Sequence, residues 1–214
     1  CPKLKMLSIA FTGLDHIDLE ECRHRGIVVK NAAGYSTEAV AELAIAMMID
    51  VCRKVLENDR ITRECQRKGI MPGREIGGKT VGVIGMGNIG QRVAKLLNAF
   101  GCKVLAWNRT PKTVDGVTFV DKETLLKESD IITLHIALNN ETRDFITERE
   151  LRLMKPSAIL INTARGPVVN EQALADALKS GLIAGAATDV YGTEPPLKQD
   201  HPLLDAPNLV MLPH

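Results

Sequence analysis

The 214-residue chain is 45% hydrophobic and carries 27 Lys and Arg against 26 Asp and Glu, a formal net charge of +1. That size suits one large α/β domain, or one domain and part of a second, with most of its apolar surface buried. The balanced charge excludes a whole-chain field that draws in nucleic acid or an anionic membrane, so an anionic ligand depends on a local site. The five cysteines (Cys1, Cys22, Cys52, Cys65 and Cys102) are odd in number and form no C-x-x-C pair, which speaks against a disulfide framework or zinc site and for a reducing cytoplasm. The longest apolar run, 43–51, is too short to span a bilayer and contains Asp50. His16 and His24 have no metal-ligand spacing to other ligands, and no metal is expected.

The chain opens on Cys1 and reaches a strand pattern almost at once, so it is expected to begin inside a fold. Residues 7–11 and 26–29 are β-type runs around a charged helical stretch, 19–25, a βαβ pattern. After Gly34 a long helix is expected, with Ser36 or Thr37 as N-cap and Glu38 and Glu42 at its positive end. Val40, Leu43, Ala44, Met47, Met48 and Val51 repeat at helical spacing, and Ala41, Ile45, Ala46 and Ile49 make its other faces apolar. Such a helix belongs between two domains or two subunits. From 53 to 68 the composition turns charged, and Pro72-Gly73 and Gly77-Gly78 mark a loop. Strands then follow near 80–85, 103–108, 117–120, 131–135, 158–163, 184–189 and 209–212, with helices between most of them. This alternation predicts a Rossmann-type α/β fold, a doubly wound parallel sheet covered on both faces.

Gly85-Met86-Gly87-Asn88-Ile89-Gly90 directly follows the strand ending Val83-Ile84 and opens a helix over 89–100. Gly85 permits the tight turn, Gly87 lets the backbone approach a pyrophosphate, and Gly90 lets the helix pack on the strand. The second strand ends in Asn108-Arg109, where an acidic residue binds the ribose of NAD. A neutral amide does not repel a 2′-phosphate, and Arg109, with Lys112 nearby, is placed to pair with one, so NADP is slightly favoured over NAD.

Ligands of an open α/β sheet bind beyond the carboxyl ends of the strands. Three groups of residues stand there: Asn162-Thr163-Ala164-Arg165-Gly166, then Asp189-Val190-Tyr191-Gly192-Thr193-Glu194-Pro195, then His214. An arginine there grips a carboxylate through two parallel hydrogen bonds, and a histidine beside a carboxylate moves a proton near neutral pH. His135 and His201 compete for the acid/base role and are read as structural.

These pieces, with Gly13-Leu14-Asp15-His16-Ile17-Asp18, Ala39-Val40-Ala41-Glu42 and Pro213-His214, resemble the D-isomer-specific 2-hydroxyacid dehydrogenases along essentially the whole chain. The resemblance implies hydride transfer between NAD(P)H and a small 2-oxo acid, leaning toward the hydroxypyruvate and glyoxylate reductases. It implies that Arg165 binds the carboxylate, Glu194 partners the histidine and His214 is the acid/base. Thr12 and Gly13 would hold the substrate through their backbone. Gly85, Gly87, Asn88, Ile89, Gly90, Asn108, Arg109, Thr163 and Asp189 would line the cofactor, with Asp189 by the nicotinamide carboxamide. It further implies that 1–33 is a remnant of a flavodoxin-like substrate domain and 34–214 the dinucleotide-binding domain, with the helix after Ser36 in a homodimer interface. Departures are Asn108 for a common Asp, Leu212 for Thr and Ala137 for Pro. A cofactor-sensing corepressor of the same fold, or a formate- or phosphite-type dehydrogenase, are the alternatives; Glu194, where formate enzymes carry glutamine, speaks against formate.

Overall fold

The computed structural model describes residues 1–65, 72–110, 112–194 and 196–214. The end of the charged stretch toward Lys68, one residue of the turn 108–112, and Pro195 lie outside the described residues.

The first 36 residues form a small parallel pair, β1 (Met6–Ile9) and β2 (Val28–Asn31), joined through α1 (Leu19–His24), with Met6 opposite Val28. β2 starts later than the apolar run 26–29 implies, because Gly26 adopts φ +64 to end α1 and the Ile27 N–H turns back to the carbonyl of Cys22. β1 likewise stops at Ile9, short of Phe11.

The expected long helix is α2 (Thr37–Arg53), followed by α3 (Val55–Arg63). Ser36 is its N-cap residue, but neither Ser36 nor Thr37 supplies the expected side-chain cap; the first turn closes only through Val40 N–H on the Ser36 carbonyl. α3 has no buried residue and is mostly charged and polar, so the sequence marks it only as a charged stretch; it is laced by pairs such as Arg63 with Asp59 at 2.8 Å. Lys54, at φ +54, breaks the two helices apart, and its Nζ donates to Asn208 Oδ1 at 2.8 Å.

From Thr80 onward strands and helices alternate as the sequence predicts: β3 (Thr80–Ile84), α4 (Asn88–Ala99), β4 (Lys103–Trp107), β5 (Val117–Phe119), α5 (Lys122–Glu128), β6 (Ile131–Leu134), α6 (Glu148–Leu153), β7 (Ile159–Asn162), α7 (Glu171–Lys179), β8 (Gly185–Thr188) and β9 (Leu209–Met211). The seven strands form one parallel sheet in the order β5-β4-β3-β6-β7-β8-β9. Successive side chains point to opposite faces. Val81, Val83, Ile159, Ile161 and Ala187 pack under α2 and α4 with Met47, Met48, Val93 and Leu97. Ile84, Ile132, Leu134, Leu160 and Ala186 pack on the other face with Leu125, Leu126, Leu151, Leu174 and Leu178. Gly82 is required there, since a Cβ would lie 2.4 Å from Leu125 Cδ2. No helix among the described residues is long and apolar enough to cross a membrane.

Candidate active site

The chain leaves β3 for one side of the sheet and β6 for the other, so a crevice opens where β3 and β6 lie side by side. The glycine turn sits on its rim. Gly85 has φ +99, and a Cβ on it would lie 2.5 Å from the His135 carbonyl; a Cβ on Gly90 would lie 1.9 Å from the Gly85 carbonyl. Packing therefore requires both. Gly87 is different: a Cβ there would meet nothing within 4 Å, so this residue faces open space at the N-terminus of α4, whose first turn carries no acidic residue.

A cleft of about 250 Å³ runs from this turn past Trp107, Asn108, Arg109, His135, Glu141 and Phe145. Asn108 shapes the turn: its Oδ1 accepts from Met86 N–H at 3.0 Å, and its Nδ2 donates to the Thr110 carbonyl at 2.7 Å. Lys112 Nζ donates to the Met86 carbonyl at 2.8 Å. Arg109 points across the cleft mouth to Glu141, with Nη1 3.2 Å from Oε2. That partner is invisible in the sequence, because only the sheet order carries the loop after β6 to the end of β4.

Past the turn, the residues immediately following β6, β7 and β8 are His135, Thr163 and Asp189. His135 Nδ1, Thr163 Oγ1 and Asp189 Oδ1 are buried side-chain atoms with no hydrogen-bond partner among the described residues. Unpaired buried polar atoms are rare, and three on adjacent strand ends mark a place built for a polar ligand group. Burial pushes the Asp189 carboxyl up; the charges of His214 and Arg165 oppose the shift, and that of Glu194 adds to it. Burial also lowers His135 to about 4, which favours a neutral ring. The ring retains some exposure although Nδ1 has none, and Nε2 contacts Thr133 Oγ1 at 2.9 Å. A glycine turn open at Gly87 and three unpaired polar atoms deeper in the crevice fit the phosphate and carboxamide ends of a nicotinamide dinucleotide.

Arg165 lies just beyond these groups. Its Nε donates to Asp15 Oδ1 at 3.0 Å and its Nη1 to the Ala164 carbonyl at 2.7 Å. Gly13 rests against the guanidinium so closely that a Cβ would fall 1.7 Å from Nη2. The Thr12-Gly13 backbone and Arg165 are thus brought together, while the Thr12 carbonyl accepts from Asn31 Nδ2 at 2.7 Å. Asp15 itself is held below the usual carboxylate range: burial opposes ionisation, but the hydrogen bond and charge of Arg165 outweigh it. Sequence reasoning gave Asp15 no role; its position two residues beyond Gly13 was the available signal. Opposite, His214 Nδ1 and Glu194 Oε1 stand 3.0 Å apart, both side chains about half exposed. The Tyr191 hydroxyl, which lies in the strand-end group 189–195 but was given no role of its own, donates to the Leu212 carbonyl at 2.8 Å and anchors the strand end that carries His214. No cluster of His, Cys, Asp and Glu able to hold a metal occurs among the described residues.

A family model for the D-isomer specific 2-hydroxyacid dehydrogenase NAD binding domain matches residues 45–214. Glyoxylate reductase of Thermococcus litoralis is 45% identical over 225 residues, covering 100% of this chain and 67% of that protein. Among solved structures, D-lactate dehydrogenase of Aquifex aeolicus, complexed with NAD and lactic acid, superposes with a TM-score of 0.92 at 34% identity, covering 100% of this chain and 70% of that one. An acyclic imino acid reductase in complex with NADPH and D-Arg superposes with a TM-score of 0.92 at 40% identity, covering 98% and 68%. The chain spans about two thirds of the length of such relatives. The family model over residues 45–214 and a relative 45% identical across the whole chain place it in the D-isomer specific 2-hydroxyacid dehydrogenase family.

Proposed function

We propose that the full protein reduces a small 2-oxo acid to the D-2-hydroxy acid, with Arg165, Glu194 and His214 as its reacting set. The observation that carries this reading is the 3.0 Å pairing of His214 with Glu194 near Arg165 and near Asp189, whose Oδ1 has no partner among the described residues. The nicotinamide dinucleotide supplies the hydride. Arg165 presents a planar fork to the substrate carboxylate, and the Thr12-Gly13 backbone against it closes the other side. Glu194 holds the His214 ring through Nδ1 and fixes its orientation. Nε2 of His214 is then free to donate a proton to the C2 carbonyl oxygen, or to take the hydroxyl proton in the reverse direction. Residues 1–33 belong on this reading to a substrate-binding domain, and α2 to a dimer interface.

Glyoxylate and hydroxypyruvate are the favoured substrates, supported by the glyoxylate reductase relative. For the cofactor, NADP is slightly favoured: Asn108 and not an acidic residue follows β4, and Arg109 beside it is a cation that can leave its exposed partner Glu141 for a 2′-phosphate. The test is steady-state kinetics of the full-length protein on glyoxylate, hydroxypyruvate, pyruvate, longer 2-oxo acids and phosphite, with both cofactors. Turnover of the short 2-oxo acids is expected; absence of turnover on every 2-oxo acid, with cofactor binding intact, overturns the reading.

A further inference from the structure

The reacting set stands on three separate stretches of chain, and one peptide bond touches the supports of all three. The Tyr191–Gly192 peptide lies against Gly166, where a Cβ would fall 1.9 Å from the Tyr191 carbonyl carbon and 2.4 Å from Gly192 N, so the turn carrying Arg165 is seated on it. Tyr191 reaches through its hydroxyl to the Leu212 carbonyl, two residues before His214. Gly192 is itself two residues before Glu194. This peptide has one charged anchor: the Gly192 N–H donates to Glu171 Oε1 at 2.7 Å.

Glu171 is in turn fixed. It is the first residue of α7, where the helix N-terminus favours a carboxylate, and its Oε2 lies 3.3 Å from His201 Nε2. His201 Nδ1 accepts from Leu203 N–H at 3.4 Å, which leaves the hydrogen of a neutral ring on Nε2, facing Glu171. The ring also meets the edge of Tyr191, with centroids 6.2 Å apart. The pair is well shielded, with 10% of the His201 side chain and 21% of the Glu171 side chain exposed, and neither residue faces the crevice chemistry directly.

We infer that Glu171, oriented by His201, is a positioning residue that fixes the Tyr191–Gly192 peptide and through it the mutual placement of Arg165, Glu194 and His214. This rests on the assignment of His214 and Glu194 as the proton-transfer pair. Glu171 then acts on rate through geometry, as outer partners of ligating histidines do, and its loss separates Glu194 from His214 without touching the glycine turn.

The test uses the full-length enzyme and reads kcat, KM, cofactor affinity and the pH profile of 2-oxo acid reduction for Glu171→Ala, Glu171→Gln and Glu194→Gln. Glu171→Ala is expected to lower kcat by about 10- to 100-fold, leave cofactor affinity within about twofold, and move the alkaline fall of reduction toward lower pH, as Glu194→Gln does by removing the charge beside His214. Asp189, which feels the charges of His214, Glu194 and Arg165, is the same residue in all three variants. Glu171→Gln keeps an acceptor for Gly192 N–H and is expected to recover most of the lost turnover. Should Glu171→Ala fail to fold, His201→Ala leaves Glu171 in place but unanchored and is read the same way. A normal kcat and unmoved profile in the folded Glu171 or His201 variant, while Glu194→Gln shifts its profile, overturns the positioning role alone. An unmoved profile in Glu194→Gln instead overturns the proton-transfer assignment.

Discussion

The two ends of the crevice are built on opposite principles. At the reacting end, Thr163 and Asp189 are 8% and 7% exposed and carry unpaired polar atoms, so position there is fixed by packing before any ligand arrives. At the adenosine end, Arg109 and Glu141 have side chains 76% and 74% exposed and already satisfy each other. Buried polar groups are little screened, whereas an exposed ion pair is weakened by water and salt and contributes about 0–1 kcal/mol; His214 and Glu194, about half exposed, stand between the two. The chemistry is therefore expected to be sensitive to single atoms, and the choice of cofactor to be soft.

The most severe break in this contrast is at the reacting end. His214→Asn keeps a polar side chain but removes the proton donor, and is expected to lower kcat by about 10²–10⁴-fold while cofactor affinity holds. Fluorescence titration of NADPH beside steady-state kinetics checks it; equal loss of both would assign His214 a structural role.

Next in size is a stability effect of the same buried end. The folded state holds His135 at about 4 against 6.5 in the unfolded chain. Above pH 6.5 the ring is neutral in both states and nothing is lost. As pH falls toward 4 the unfolded chain takes up a proton that the folded one refuses, so stability falls with pH in that window. The loss between pH 7 and pH 5 is about 2 kcal/mol at most, given the partial exposure of the ring. Urea unfolding at the two pH values should show a drop that His135→Gln reduces; an identical drop in wild type and variant would show that other groups set it.

At the exposed end the expected changes are smaller. Asn108→Asp with Arg109→Ala is expected to turn the preference from NADP toward NAD by about tenfold in kcat/KM, the low end for a charge-assisted contact because Arg109 is so exposed. A wild type that already prefers NAD strongly would refute the charge argument. Glu141→Gln frees Arg109 from its counter-charge and should raise kcat/KM for NADPH over NADH only about two- to fivefold, an effect that fades at high salt.

The parallel sheet was legible because its strands are buried on both faces and stand out as short apolar runs between helices. Gly85 and Gly90 were legible because a tight turn and close packing permit few alternatives, and Gly87 because a backbone that approaches a pyrophosphate leaves no room for a side chain on the ligand side. Arg165, Glu194 and His214 were marked as chemistry at strand ends, but their convergence came from the family resemblance; their 3.0 Å contacts belong to tertiary structure. α3 escaped because it buries nothing, and Glu141 because its partner is set by which strands are neighbours. The unpaired atoms of Thr163 and Asp189 escaped as such, since a missing hydrogen bond leaves no trace in residue type.

The helix α2 carries a consequence for the birth of the molecule. Met47, Met48 and Val51 bury against α4 and against β7, β8 and β9, yet β7 begins only at Ile159 and β9 only at Leu209. During synthesis the helix leaves the ribosome long before the surfaces that cover it exist. The unit β3-α4-β4, whose contacts are local, closes early and offers α2 one partner; the rest of its apolar surface waits for the last strand. The Lys54–Asn208 hydrogen bond, joining residues 154 positions apart, forms only at the end of that wait. Until β9 forms, the uncovered apolar face of α2 is therefore expected to be the surface of this chain most exposed to aggregation.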